Sequence, residues 1–480
     1  MHQKNYLSFA ILAVLLLPGL AAGADDEPAN PFALHPHGIH LVDEAGRQVM
    51  LRGANTGERI TSPPFIPFDP TPDFNTALER YADKIQALGF NVVRLLLSYE
   101  AAEPVRGRYD EEYLKKYDQM VSAMSRRGLR VIVNGHQDLF SRRFCGDGFP
   151  DWALPAEYQN RKPHADCKFW GLHYFSYPVA KSYDRLWLNQ DQVRDSYVAF
   201  FKMLALRYRN EPAVIGFEPF NEPFPGLRGR MNYSAWYKEQ LFVFYEQVAE
   251  AVQGVDRRYL FFADICPLEN TGLWSVSRPR PEIQNLVFAP HYYDLSFIGI
   301  SLGPGGDIWF MRQVLNRHSA LSRFWQVPML VGEFGIPAER KEAPEYLARL
   351  YSVFDELQLS VTIWEISMSP TLWNLEDFSL LGPDGSERPA AKSVDRPYPR
   401  AVAGTIKQFS FSAETRRLEL SFAEDPQISL PTEIYLPARW YPGEPQITLE
   451  PSGQFRFDSL TRVLSVYPLK EKAQRSIIII

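Results

Sequence analysis

The sequence predicts an α/β fold: a (β/α)₈ barrel followed by a small antiparallel β-sandwich domain. Three observations predict it. Eight short β-rich apolar runs alternate with stretches of helical periodicity. The eight units fill roughly 320 residues, inside the ~200 to >400 usual for such barrels. After Trp364 the helical pattern stops and short alternating runs take over.

The eight runs are Val49–Asn55, Val92–Leu97, Arg130–Gly135, Val214–Asn221, Tyr259–Asp264, Leu286–His291, Pro328–Gly335 and Ser360–Glu365. Between the first two, Leu78, Tyr81, Ala82, Ile85 and Leu88 recur on one helical face, which Gly89 closes. Tyr113, Leu114, Tyr117, Met120, Val121 and Met124 repeat the pattern before Gly128. Trp236, Leu241, Phe244, Tyr245 and Val248 give a third face, and Tyr346–Leu357 a fourth. Strands alternating with helices form a parallel sheet. One unit is oversized: residues 136–213 separate the third and fourth strands and carry Cys145–Pro155 and many aromatic residues. A long loop there leaves the barrel on its C-terminal face, where active sites sit. Beyond it, Arg396-Pro397-Tyr398-Pro399-Arg400 reads as a proline-stiffened joint. Short strands are expected at Ile406–Phe411, Arg417–Phe422, Thr432–Leu436, Gln454–Asp458 and Val463–Tyr467.

Residues 1–24 read as a targeting signal. Lys4 precedes an apolar run from Leu7 to Leu20, and Ala22-Gly23-Ala24 has the small-x-small form of a cleavage site. The alternative is an uncleaved anchor, but the run is short for a span of about 20 residues. The expected division is therefore a signal peptide at 1–24, a barrel at 25–395 and a sandwich at 396–480. Cleavage implies a secreted or periplasmic protein.

Composition bounds the rest. Apolar residues make up 45% of the 480, which excludes disorder over most of the chain. The net charge of −6, without a basic stripe, argues against a nucleic-acid partner. Most of the 10 Trp, 24 Tyr and 32 Phe are expected in the core, but an excess also suits stacking on sugar rings or lipid chains. An exported chain permits one disulfide; Cys145 and Cys167 share a loop-rich segment and are the candidate pair, with Cys266 a buried thiol. No CxxC or clustered Cys/His spacing suggests a metal.

Two strand ends carry carboxylates. The fourth runs Phe217-Glu218-Pro219-Phe220-Asn221-Glu222-Pro223 and the seventh Val331-Gly332-Glu333-Phe334-Gly335. A carboxylate where apolar strand gives way to loop is costly to bury and needs a reason. Two at one barrel mouth suit glycoside cleavage. The alternative is a pair of structural carboxylates held by backbone or by Arg94. Arg94 could instead pair with Glu333 and keep it ionised. His136 and Asp138 follow the third strand, and Asn221 could bond a sugar hydroxyl. His291 and Tyr293 follow the sixth strand, and Trp364 offers an indole platform on the eighth. Glu218 shares its side of the strand with Glu222 and is expected deeper, in a structural role.

These residues resemble glycoside hydrolase family 5, in Asn221-Glu222-Pro223 after the fourth strand and Glu333 after the seventh. His136-Gln137-Asp138 through Gly146-Asp147-Gly148-Phe149-Pro150 and Arg396–Gly404 are similar to its endoglycoceramidase branch, from about residue 35 onward. The resemblance implies Glu222 as general acid and base and Glu333 as nucleophile of a retaining enzyme. It implies Arg94, His136, Asn221, His291, Tyr293 and Trp364 as substrate-site residues, with no metal or other cofactor; Asp138 after the third strand and Trp170 in the aromatic insertion are further substrate-site candidates from their own positions. The substrate implied is a glycolipid, met in transient contact with a micelle or membrane surface; a monomer is expected. An exo-acting β-glucosidase or glucosylceramidase, or an endo-β-glucanase, would use the same residues. Negative Glu333 is expected to raise the pKa of Glu222. Two positions depart from the branch: Asn134, where Asp is frequent, and Phe149, where a small residue is frequent. Phe149 is expected to narrow the aglycone side of the cleft. Phe149, Trp152, Phe169, Trp170, Tyr174 and Phe175 are the candidate lipid-facing rings; the alternative is that they pack the loop onto the barrel.

Overall fold

A computed structural model describes residues 30–57, 62–163, 167–272, 274–294, 307–469, 471 and 473–480. The segment read as a signal peptide, 1–24, lies outside them. Among the described residues no helix is long and apolar enough to cross a membrane.

Eight parallel strands form the barrel: Arg52–Thr56, Val92–Ser98, Arg130–His136, Val214–Glu218, Leu260–Ala263, Leu286–Phe288, Leu330–Val331 and Ser360–Ile366. They pair in sequence, and the eighth pairs with the first. Bridges Phe288–Met329 and Tyr292–Phe334 join the sixth unit to the seventh and close the ring. The strands read as near-continuous apolar runs because both faces are covered, by helices outside and side chains inside.

Helix Phe74–Ala87 buries the residues that its periodicity selects, and Asp73 caps it by accepting from the Thr76 amide. Gly89, at φ +71°, ends the turn. Its carbonyl accepts from Tyr398 Oη (3.0 Å) and Arg400 Nη2 (3.1 Å), and a Cβ there would fall 2.1 Å from the Tyr435 ring. One glycine thus ends a helix and seats the second domain on the barrel. Glu111–Ser125 is capped likewise by Asp110, and Ala343–Glu356 covers the fourth predicted face. The third face spans three consecutive pieces, Tyr233–Trp236, a π-turn Tyr237–Leu241 and Phe242–Gln253.

Several expectations need correction. The run Val49–Asn55 is two strands: Gln48–Val49 leaves the barrel and Arg52–Thr56 opens it. The oversized unit is not all loop, since helices Tyr177–Trp187 and Val193–Tyr208 occupy its second half. Helix Ile308–Trp325 also escaped the sequence reading. The proline-stiffened joint is itself a strand, Tyr398–Val402. Pro399 costs it a ladder donor, and the register shifts between Pro399 and Ala401.

The sandwich packs two antiparallel sheets. The four-stranded sheet holds Gly404–Ser412, Arg417–Glu424, Gln474–Ile479 and Ile447–Glu450. The other has seven strands and includes His35–His37, His40–Val42 and Gln48–Val49 from before the barrel. The apolar tail therefore has a function: Ile477 and Ile479 alternate into the sandwich core beside Leu418, Leu420 and Phe422.

Candidate active site

Arg94 organises the barrel mouth. It projects from the second strand with no exposure, and each donor it brings has a carboxylate or amide partner. Nε and Nη2 bond the two oxygens of Glu218 at 2.6 and 2.8 Å. Nη1 bonds Glu333 Oε1 and Asn55 Oδ1, both at 2.6 Å, and Nη2 also reaches Asn221 Oδ1 at 2.7 Å. Only a planar guanidinium can serve a bidentate carboxylate and three further acceptors at once. Glu218 lies deeper than the mouth, fully buried against Arg94.

Glu333 presents its second oxygen to Tyr293 Oη at 3.0 Å. Its two oxygens thus face the Arg94 guanidinium and the Tyr293 hydroxyl. Glu222 meets the opposite surroundings. It lies beyond the end of the fourth strand at φ +39°, its amide held by Asp264 Oδ2 at 2.7 Å. Oε1 lies 2.9 Å from His291 Nδ1 and 3.2 Å from Asn270 Nδ2. Burial, and then the charge of Asp138, push Glu222 up to about 8. The expectation that Glu333 would raise Glu222 is thus replaced: desolvation leads and Asp138 supplies the charge.

His291 stands between the two acids, with Nδ1 also 3.5 Å from Glu333 Oε2. One carboxylate oxygen of each acid and a His291 nitrogen lie within 4.8 Å of one another. Burial lowers His291 to about 4 and His136 to about 3, so both rings are neutral at pH 7. The His136 ring stacks on Trp364 at 5.4 Å, and its Nδ1 faces Asn134 Oδ1 at 3.0 Å. Asp138 accepts from Tyr174 Oη at 2.8 Å, and burial lifts it to about 7.

Eight of the ten expected residues, from Arg94 to Trp364, therefore gather around one mouth as donors, acids and rings. The other two spend their polar groups on neighbouring residues of the site. Asn221 gives its oxygen to Arg94 and its amide to the Gln137 carbonyl (3.2 Å), so it braces the site from within. Trp170 is partly buried, packs on Trp373 at 4.8 Å and donates to Glu376 Oε1 at 2.6 Å, tying the third loop to the eighth. Cys145 and Cys167 are joined, with Cα atoms 5.5 Å apart, and brace that third loop. Phe149 does not line the cleft: it is 1% exposed, stacked on Phe140 and tilted against Tyr197 and Phe220. Tyr174 is likewise buried, and Trp152 donates to the Glu103 carbonyl, whereas Phe169 and Phe175 are exposed.

Sequence reasoning missed Asn55, Gln137, Asp264, Asn270 and Glu376. Asp264 was within reach, since it ends the fifth strand as Glu222 and Glu333 follow theirs. Asn270, in the short helix Pro267–Asn270, carried no signal. Three sets of side chains bring ligand atoms within 4.8 Å: His136, Asp138 and Asp147; Glu218, Asp264 and His291; Glu222, His291 and Glu333. In the last two, Arg94 already places positive charge on Glu218 and Glu333; the first is the set that could hold a cation.

A family model described as Cellulase (glycosyl hydrolase family 5) matches residues 42–369. Another, the Glycoside hydrolase family 5 C-terminal domain, matches residues 396–479. Endoglycoceramidase I of Rhodococcus hoagii is 27% identical over 444 residues, 86% of this chain and 82% of that protein. The endoglycoceramidase of Cyanea nozakii is 25% identical over 471 residues, covering 88% and 87%. The structure of endo-glycoceramidase II from Rhodococcus sp. in its ganglioside GM3 complex matches with a TM-score of 0.76 at 26% identity. That match covers 92% of this chain and 99% of the other.

Proposed function

The chain belongs to glycosyl hydrolase family 5, and on that premise we propose that it is a retaining β-glycosidase that frees the glycan of a glycosphingolipid from its ceramide. The observation that carries the reading is the approach of Glu222 and Glu333 to within 4.8 Å, oxygen to oxygen. Retaining enzymes hold their carboxyl groups ~5–5.5 Å apart, whereas inverting ones leave ~6.5–9.5 Å for a water.

The surroundings divide the roles. Glu333, held by Arg94 and Tyr293, is the nucleophile that attacks the anomeric carbon. Glu222, protonated at neutral pH by its burial, delivers a proton to the leaving oxygen and then takes one from the attacking water. Two carboxylates and water complete both half-reactions, so the reading requires no cofactor. Trp364, His136, Asp138 and Tyr293 line the sugar position. Asn221 contributes by holding Arg94.

A ceramide aglycone is supported by the relatives' names and by the third loop. Phe169, Leu172, Phe175 and Tyr177 are exposed there, beside the mouth. Such rings suit brief contact with a micelle or membrane surface by a protein that acts as a monomer. The signal-like segment at 1–24 and the disulfide support an exported, extracytoplasmic enzyme.

Product analysis tests the reading. Glucosylceramide, lactosylceramide and a ganglioside are incubated with the purified protein. The expected products are ceramide and the intact oligosaccharide. Turnover of glucosylceramide alone would give the exo-acting alternative, and turnover of soluble β-glucan alone would contradict the lipid reading.

A further inference from the structure

Asn270 is 2% exposed and has both ends of its amide engaged. Oδ1 accepts the backbone N–H of His291 at 3.2 Å, and Nδ2 donates to Glu222 Oε1 at 3.2 Å. The orientation of this amide is not free. A backbone N–H can only donate, so the amide oxygen faces His291 and the NH₂ faces Glu222. An NH₂ also only donates, so Glu222 Oε1 is an acceptor at this contact. Oε2 takes no hydrogen bond from the described residues. The carboxyl cannot swing away on its backbone either. Asp264 Oδ2 fixes the Glu222 amide at 2.7 Å, and Asp264 Oδ1 is itself fixed by the Ile265 amide at 2.7 Å.

We propose that Asn270 is a positioning residue for proton transfer: together with His291 in the tautomer whose Nδ1–H donates to the same oxygen, its NH₂ occupies both acceptor positions of Oε1 and confines the transferable proton of Glu222 to Oε2. This rests on Glu222 being the general acid and base. In the first half-reaction the Oε2 proton passes to the glycosidic oxygen as the bond from that oxygen to the anomeric carbon breaks. Glu333 forms its bond to the same carbon. In the second, water adds to that carbon, its proton returns to Oε2, and the Glu333 ester bond breaks. Without Asn270, only the His291 contact remains on Oε1, which leaves one acceptor position of that oxygen open to the proton.

The same contact has a signed effect on pH dependence. The Asn270 bond favours ionised Glu222, while burial and Asp138 oppose ionisation and Arg94 favours it. Other titratable groups that face this carboxyl are His291, Asp264 and Glu333, beyond the ends of the sixth, fifth and seventh strands, with Tyr174, Tyr183, Cys266, Tyr293 and Glu376. Loss of the bond therefore moves the alkaline limb of kcat/KM to higher pH.

The experiment uses purified full chain, wild type, Asn270→Ala and the near-isosteric Asn270→Asp. The substrates are aryl β-glycosides of one sugar, graded from 2,4-dinitrophenol to phenol as leaving group. Dinitrophenolate leaves without protonation, so a proton-positioning role spares it. The expected result in both variants is a loss of about 100-fold on the phenyl glycoside, the lower end for general acid catalysis. The dinitrophenyl glycoside should change less than about 5-fold on the same scale, with the alkaline limb raised on the phenyl substrate. An equal loss across the series, or an unmoved limb, overturns the proposal while leaving the glycosidase reading intact. Wild type inactive on every member of the series would overturn both.

Discussion

Glu222 and Glu333 face each other across the barrel mouth with His291 Nδ1 between them, 2.9 Å from one and 3.5 Å from the other. The two acids share a histidine but differ in everything else. Arg94 and Tyr293 donate to Glu333, whereas Glu222 is desolvated and sits near the charge of Asp138. That asymmetry separates their roles: Glu222 holds its proton near neutral pH, while Glu333 has both oxygens held by donors.

Glu222 must hold its proton to act as an acid. Its value of about 8 sets the alkaline limb of kcat/KM near pH 8. The same shift appears in stability. A carboxyl whose folded value is raised stabilises the fold fully below its unfolded value, ~4.3, and that contribution is lost as pH rises through the folded value. Glu222→Gln removes this loss. Its Tm should match wild type near pH 4, exceed it increasingly from pH 5 to about 8 and level off above that by thermal melts, as follows from the linkage. A difference that shrinks with pH would refute the shift.

Arg94 is the only cation bonded to Glu218 and Glu333 among the described residues. Arg94→Leu leaves two buried carboxylates without it and should cost about 3–5 kcal/mol in urea unfolding. Arg94→Lys cannot reproduce the bidentate bond to Glu218 and should also lose most activity. A variant as stable as wild type would show that the pair does not need its partner.

Cys145–Cys167 closes a loop with a sequence separation of 22, and Asn374 Nδ2 binds the Cys145 carbonyl at 2.7 Å. Replacing both by Ser should lower stability by about 3 kcal/mol if the loop unfolds with the barrel. Alkylation of the native protein should modify no thiol, because Cys266 is buried. Unchanged unfolding in the double variant would make the bond irrelevant to the fold.

Phe169, Leu172 and Phe175 are exposed, at 70, 70 and 55%. Replacing all three by Ala should slow cleavage of micellar ceramide glycosides about tenfold or more, since each buried CH₂ is worth ~0.8 kcal/mol at a lipid surface. Cleavage of a soluble aryl glycoside should not change. Equal losses on both substrates would count against a lipid-facing role. Trp170 is left in place because its bond to Glu376 ties two loops together.

The barrel was legible because its strands are apolar on both faces and its helices on one. The two acids were legible because strand ends are where a barrel exposes chemistry. What escaped has physical reasons. Helix Val193–Tyr208 lies in a stretch whose aromatic content and length suggested a loop, although Tyr197, Phe200, Phe201, Leu204 and Ala205 keep helical spacing. Ile477 and Ile479 gain meaning only from the strand they pair with, Arg417–Glu424. Phe149 was expected in the cleft because a small residue is frequent at its position in the branch that the sequence resembles; its neighbours in space are Phe140, Tyr197 and Phe220. Asn270 is set by two hydrogen bonds to distant strand ends, which no local pattern encodes.

The most direct test of the account is to trap the glycosyl-enzyme. A 2-deoxy-2-fluoro β-glycoside with a dinitrophenyl leaving group slows the second half-reaction, and peptide mass spectrometry locates the sugar. The account requires one sugar per chain, on the peptide containing Glu333, still formed on Glu222→Gln because the leaving group needs no acid. A sugar on Glu222 or Glu218, or turnover with inversion and no adduct, would contradict it.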